Sequence, residues 1–261
     1  MEIVIAIIGL IATVLGTGAT FYGVLASKKK EKKQEQRISD GAKALQGEIQ
    51  KRIGYSGDKI FIRFHITDEE GAVEETRRYT GIKAAPGVHL ASIPGYVWVS
   101  TPGGKISEYP VLTDFGDAKL RARIEYLSRN QKRCDLSVVF DEPLKPDDTP
   151  FDYEFKVKYS KCVLMHRKNV KAAYGNDAFK NDYCSYESVT PIEELVIEVV
   201  FPPGLEFVPA PNVFFGGEGW VHNQELNRVS DGFTVIPNGA RLRVKKPLLG
   251  FTYIIYWITP E

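Results

Sequence analysis

Alternation of apolar and polar positions dominates the chain from residue 59 onward. In KIFIRFHIT (59–67), Ile60, Ile62, Phe64 and Ile66 alternate with Phe61, Arg63 and His65, the two-residue period of a strand with one buried face. DEEG (68–71) marks a turn, and residues 72–80 are expected to return as a second strand. YVWVST (96–101) and KISEYPVL (105–112), joined by Pro102-Gly103-Gly104, predict a hairpin. LRARIEYL (120–127) and DLSVVF (135–140) predict another strand pair, after which Pro143, Pro146 and Pro150 mark a loop. In FDYEFKVKY (151–159), Phe151, Tyr153, Phe155, Val157 and Tyr159 share one face, and the charged residues share the other. Residues 166–182 form a polar insertion, read as a short helix and a loop. LVIEVVF (195–201) has the continuous apolar character of a central strand. FTVIP (233–237) and ARLRVKK (240–246) flank a turn at Asn238-Gly239, and FTYIIYWI (251–258) closes the series. Strands separated by short turns, without strand–helix alternation, predict a β-sandwich or barrel-like body.

Residues 3–26 break this pattern with 24 residues free of charge and of proline. As a helix they would span about 36 Å, enough to cross a bilayer. A cleaved signal peptide is the rival reading, but the segment before the run, Met1-Glu2, lacks positive charge and the run is long for a signal. The expected fold class is therefore mostly β, with a single N-terminal transmembrane helix (1–27) ahead of the soluble body. Lys28, Lys29, Lys30, Lys32 and Lys33 follow the helix and Glu2 precedes it, so the body is expected in the cytoplasm and the N-terminus outside the cell membrane. Gly9, Ala12, Gly16, Ala19, Gly23 and Ala26 recur at spacings of 3, 4, 3, 4 and 3, a seam suited to self-association into a homo-oligomer within the lipid bilayer. Residues 28–54 read as a basic juxtamembrane stalk. The body divides into 55–147, a β-domain or first sheet layer, and 148–261, a C-terminal sandwich-like domain.

Charge sharpens the picture. Residues 28–37 carry six basic and two acidic residues, whereas 38–261 hold 28 basic and 30 acidic. A body without positive surplus is poorly suited to phosphate neutralisation, so nucleic acid is disfavoured as a partner. The three cysteines, Cys134, Cys162 and Cys184, are too few for a disulfide framework and fit reduced, buried thiols.

The tracts PIEELVIEVVFPPG (191–204) and PLLGFTYIIYWITP (247–260) resemble C-terminal β-sandwich modules of bacterial conflict and defence proteins. That resemblance covers under a third of the chain and implies a sensing or scaffolding role in the cytosol. It transfers no functional residue.

Candidate chemistry is sparse. Cys162 and His166 stand at i and i+4 with Cys184 beyond, but no zinc signature is matched, and neither a metal nor a cofactor is expected. No GxSxG elbow, P-loop, GxGxxG or HExxH is present, which weighs against enzyme activity. The loop GGEGWVHNQ (216–224) is the most suggestive segment. Gly217 and Gly219 allow unusual backbone geometry, and Trp220 with His222 would share one side of an ensuing strand as a binding site. The competing reading makes Trp220 a core aromatic, and the same competition holds for Tyr96 and Trp98. The expected function is a membrane-anchored binding module that takes a small-molecule or protein ligand and signals through anchor self-association, with bacterial defence as the setting the resemblance implies. A passive membrane scaffold and a membrane-tethered hydrolase are the alternatives.

Overall fold

A computed structural model describes residues 53–113, 121–174, 181–204, 207–215 and 223–258. The first alternating tract builds β1 (Tyr55–Ile66), which turns at Asp68 into β2 (Val73–Ala84). The Asp68 carboxylate accepts the backbone N–H groups of Glu70 at 3.0 Å and Ala72 at 2.9 Å, satisfying the turn's own donors. There follow β3 (Leu90–Trp98), β4 (Lys105–Thr113), β5 (Ala122–Arg129), β6 (Arg133–Leu144) and β7 (Phe151–Ser160). Helix α1 (Arg167–Tyr174) leads to β8 (Asn181–Glu187), β9 (Ile192–Val200) and β10 (Val208–Phe215). Helix α2 (Asn223–Asp231), β11 (Phe233–Ile236), β12 (Gly239–Lys245) and β13 (Phe251–Ile258) complete the series. All of these belong to one compact unit, Glu48–Glu261.

The strands form a mixed seven-stranded sheet in the order β11-β12-β9-β1-β2-β7-β4, and two three-stranded sheets, β10-β13-β8 and β3-β6-β5. Within the large sheet β1 and β9 run parallel and the other neighbours antiparallel. The boundary expected near residue 147 falls between β6 and β7, and the large sheet takes strands from both sides of it. Ile60, Ile62, Phe64 and Ile66 share the sheet's inner face with Leu195, Ile197, Val199, Leu242 and Val244, all buried. The small sheets cover that face. Phe140 of β6 meets Phe151 of β7 edge-on at 4.9 Å, and Trp257 of β13 meets Phe201 at 5.1 Å.

The outer face is polar, but its carboxylates are covered. Glu198, 1% exposed, accepts hydrogen bonds from Arg63 at 2.7 Å and from Arg241 at 2.6 Å. Burial works to raise its pKa, yet the two guanidiniums outweigh that and hold it below the ordinary glutamate value. Glu194 is bridged in the same way by Lys59 and Arg243.

Several expectations need correction. The fold class predicted from sequence included a transmembrane helix. Among the described residues no helix is long and apolar enough to cross a membrane. The helices α1 and α2 have 8 and 9 residues, about 12–14 Å against roughly 30 Å of hydrocarbon. The segment 3–26, its Gly/Ala seam (Gly9, Ala12, Gly16, Ala19, Gly23, Ala26) and the cluster Lys28, Lys29, Lys30, Lys32 and Lys33 lie outside the described residues. What the structure shows is a mostly β body of one mixed sheet and two small ones.

The hairpin expected between residues 96–101 and 105–112 is also absent. β3 pairs with β6 and β4 pairs with β7, so Thr101–Gly104 turns the chain out of one sheet and into another. A local turn signal identifies a reversal and says nothing about which strand becomes the neighbour. Between β11 and β12 the turn residues are Pro237 and Asn238, with Asn238 at φ 55°. Proline followed by a positive-φ residue is the pairing a tight type II turn favours.

Candidate functional site

The inner face of the large sheet is left partly open between the two small sheets, and a cleft of about 830 Å³ lies there. Its floor comes from β1, β2 and β7. Both β1 and β2 change phase at Asp58 and Gly81, where the ladder is interrupted and Gly81 takes φ 68°. That change brings Tyr55 to the same cleft as Tyr79, although the two would face oppositely on an unbroken ladder. A side chain at Gly81 would collide with Asp58, its Cβ 2.1 Å from the carboxylate oxygen. Tyr79 stacks on Tyr153 with ring centroids 4.5 Å apart and planes 8° from parallel. Tyr55 shares a hydrogen bond with Thr190 at 3.2 Å.

At the centre of the floor is Arg77, whose side chain is 12% exposed. It sits in the inner phase of β2 with Glu75, Tyr79 and Val73. Its Nε donates to Glu75, and an η nitrogen donates to the Tyr96 carbonyl at 3.0 Å. The guanidinium lies 5.6 Å from the Phe155 ring centre and 5.7 Å from that of Tyr186. Glu75 in turn accepts the Tyr159 hydroxyl at 2.5 Å. Burial works against the charge of Arg77, but Glu75 and the surrounding hydroxyls outweigh it, so its pKa is well above the ordinary value. The guanidinium therefore remains a fixed charge.

One wall is β3 and β6, through Ile93, Pro94, Tyr96, Leu136 and Val138; the other is β8, through Ser185, Tyr186 and Glu187. Tyr96 bridges the mouth by donating to Glu187 at 2.9 Å, and Arg133 lies 5.2 Å from its ring centre while paired to Asp135 at 2.8 Å. Trp98, Leu127 and Val189 stand at the rim and are 52%, 68% and 43% exposed. Burial raises the phenols of Tyr55 and Tyr96 to about 12 and also raises Tyr79, Tyr153 and Tyr186. At neutral pH the cleft thus offers neutral hydroxyls, aromatic faces and the carboxylate-paired guanidiniums of Arg77 and Arg133. That set suits binding and orientation; it places no activated nucleophile.

The thiols point the same way. Burial pushes Cys134, Cys162 and Cys184 upward, which keeps them protonated and poorly nucleophilic. Among the described residues no group of three or more His, Cys, Asp or Glu side chains could hold a metal ion. Beside Cys184 on the same face of β8 is Asp182, whose carboxylate accepts the backbone N–H groups of Leu164 and, at 2.8 Å, Tyr183. Burial raises Asp182 to about 6 against those two bonds. Its folded pKa exceeds its unfolded one, so its contribution to stability is full below about pH 4 and is lost as pH rises through about 6. Asp182→Asn removes this titration. The unfolding free energy of the wild type relative to the variant is expected to fall by on the order of 3 kcal/mol between pH 4 and pH 7.5. Urea denaturation of both proteins across that range checks it, and a pH-independent difference would refute the buried acid.

Of the residues singled out from sequence, Tyr96 and Trp98 line this cleft. Gly217, Gly219, Trp220 and His222 lie outside the described residues, and the segment that follows them is helix α2 rather than the expected strand. Arg77, Glu75, Tyr79 and Tyr186 were not anticipated. The available signal was in VEETRRY (73–79), where two charged residues occupy the phase of Val73 and Tyr79.

No family model and no curated protein sequence matches the chain. Among solved structures, native yeast leukotriene A4 hydrolase aligns over 78% of this chain and 29% of its own, at 7% identity and a TM-score of 0.38. A putative protease from Parabacteroides distasonis aligns over 78% and 40%, at 6% identity and a TM-score of 0.37. Legionella pneumophila aminopeptidase A aligns over 78% and 21%, at 7% identity and a TM-score of 0.32. The chain spans well under half the length of these proteins, and likeness at this level assigns neither a fold family nor an activity.

Proposed function

We propose that the β body is a binding module whose ligand seats in the cleft above Arg77. The observation that carries this reading is the cleft itself: a volume in the range of small-ligand sites, aromatic walls, and a buried guanidinium held rigid by Glu75 and the Tyr96 carbonyl. Exposed apolar residues gather at its rim, an arrangement that marks interaction sites on soluble surfaces. With phenols protonated and thiols buried, recognition rather than bond-making is the chemistry the cleft supports.

Gly95 supplies the test. It lies between Ile93 and Val97 on the inward phase of β3, and a Cβ there would meet only Leu136, at 3.4 Å. Gly95→Leu places a branched apolar side chain at the cleft from a position where the Cβ itself makes only ordinary contact. Indole at millimolar concentration is expected to shift the methyl resonances of Ile93, Leu136 and Val138 in the wild type and to leave them unmoved in Gly95→Leu. Absence of shifts in the wild type, or equal shifts in both proteins, would overturn the assignment.

A further inference from the structure

Resting on that reading, we infer that the cleft takes an extended peptide segment, which adds as a strand to the free edge of β8. Among the described residues β8 is an outer strand of its small sheet, and β3, across the cleft, is an outer strand of the other. The direction of the β8 main chain follows from its end. Ser188 donates to the Phe251 carbonyl at 2.8 Å and accepts from the Gly250 N–H at 2.8 Å, so Ser188, Tyr186 and Cys184 direct their backbone groups at β13. Tyr183, Ser185 and Glu187 therefore direct theirs away from it. The Tyr183 N–H is taken by Asp182, while Ser185 and Glu187 lie along the cleft.

The two edges are not equivalent. On β3 the Tyr96 carbonyl is occupied by Arg77, and Pro94, in phase with Tyr96, has no N–H to offer. Proline at such a position is a common means of blunting an edge against pairing. β8 carries no such device at Ser185 and Glu187. An open edge beside an apolar cleft is the arrangement used in strand-addition recognition, where main-chain bonds give affinity and a pocket reads alternate side chains.

Charge narrows the occupant further. Arg77 is paired with Glu75, Arg133 with Asp135, and Glu187 accepts from Tyr96. With both guanidiniums paired to carboxylates and the Glu187 carboxylate capped by the neutral Tyr96 hydroxyl, the cleft complements an occupant whose inserted groups are neutral and whose polar groups lie on its backbone. A peptide strand with an aromatic or branched apolar residue entering over Tyr186 meets both conditions. Its next residues face outward, beside Trp98 and Val189 at the rim.

The experiment selects a phage-displayed library of random heptamers on the full chain, with counter-selection on Gly95→Leu. Sequences with apolar residues at alternate positions are expected to enrich. The best is then synthesised as parent and as two forms, each N-methylated at one alternating set of residues. One methylated form should bind at least tenfold more weakly than the parent and the other about equally, because only one set of N–H groups faces β8. Ser185→Pro, which deletes an edge donor, should weaken the parent peptide similarly. Failure to enrich any peptide, or equal binding by both methylated forms, overturns the strand-addition inference. If indole still shifts the wall methyls in that event, the cleft remains a binding site for another ligand class; if it does not, both readings fall.

Discussion

Replacing Glu75 by Gln is expected to lower the unfolding free energy by about 3–5 kcal/mol, the range for removing one member of a buried ion pair. Glu75 is 1% exposed, and Arg77 beside it has a side chain only 12% exposed. The substitution leaves a buried guanidinium without its counter-charge and the Tyr159 hydroxyl with a weaker acceptor. For a body of this size the melting temperature should drop by roughly 10 °C or more. The double variant Glu75→Gln/Arg77→Met supplies the control. Removing both charges and keeping an apolar side chain of similar length should recover part of the loss, since buried pairs are often replaceable by hydrophobic groups. Thermal and urea melts of the three proteins decide it. A single-variant loss below about 1 kcal/mol would mean that Arg77 finds compensation elsewhere.

Trp257→Ala is the second large effect, at about 3–5 kcal/mol. The indole is fully buried in the central strand of its small sheet, edge-on to Phe201 at 5.1 Å and Phe207 at 6.5 Å. Trp257→Phe is expected to behave differently. The indole N–H has no hydrogen-bond partner among the described residues, so the wild type carries the cost of a desolvated donor, about 1–3 kcal/mol. Phenylalanine loses packing volume and also removes that donor. Its net cost should therefore stay below about 2 kcal/mol, well short of the alanine variant. Equal destabilisation by both variants, measured by urea denaturation, would refute the offset.

Strands with strict alternation are legible from the order of residues alone. FDYEFKVKY reads directly onto β7, with Tyr153, Phe155, Val157 and Tyr159 buried in one phase. The unbroken apolar run of LVIEVVF likewise becomes β9, near the middle of the large sheet between β12 and β1. Pairing is less legible, because β3 and β4 are separated by a good turn sequence and still join different sheets. β8 and β10 escape notice for composition: NDYCSYE is mostly polar, and VPAPNVFF holds two prolines that edge positions tolerate. The cleft is the least accessible. Tyr55, Arg77, Tyr153 and Tyr186 come from four strands, and no periodicity within any one strand encodes their convergence. Tyr96 and Trp98 are visible in the sequence only as aromatics of undecided role.

The parallel pairing of β1 with β9 sets the order in which the protein can be made. Arg63 and Glu198, bonded across that pair, are 135 residues apart in the chain. At translation speeds of about 5–20 residues per second, β1 emerges on the order of ten seconds before the strand that completes it. Until β7 follows, β1 and β2 have only each other as partners in the large sheet, and their apolar inner face lacks its flanking strands β7 and β9 and the small sheet β10-β13-β8 that later covers it. Pairings this distant in sequence form slowly because loop closure comes before its reward. A nascent chain paused near residue 147 would thus display a sticky two-stranded ribbon, which makes this interval the natural point of chaperone capture during biogenesis.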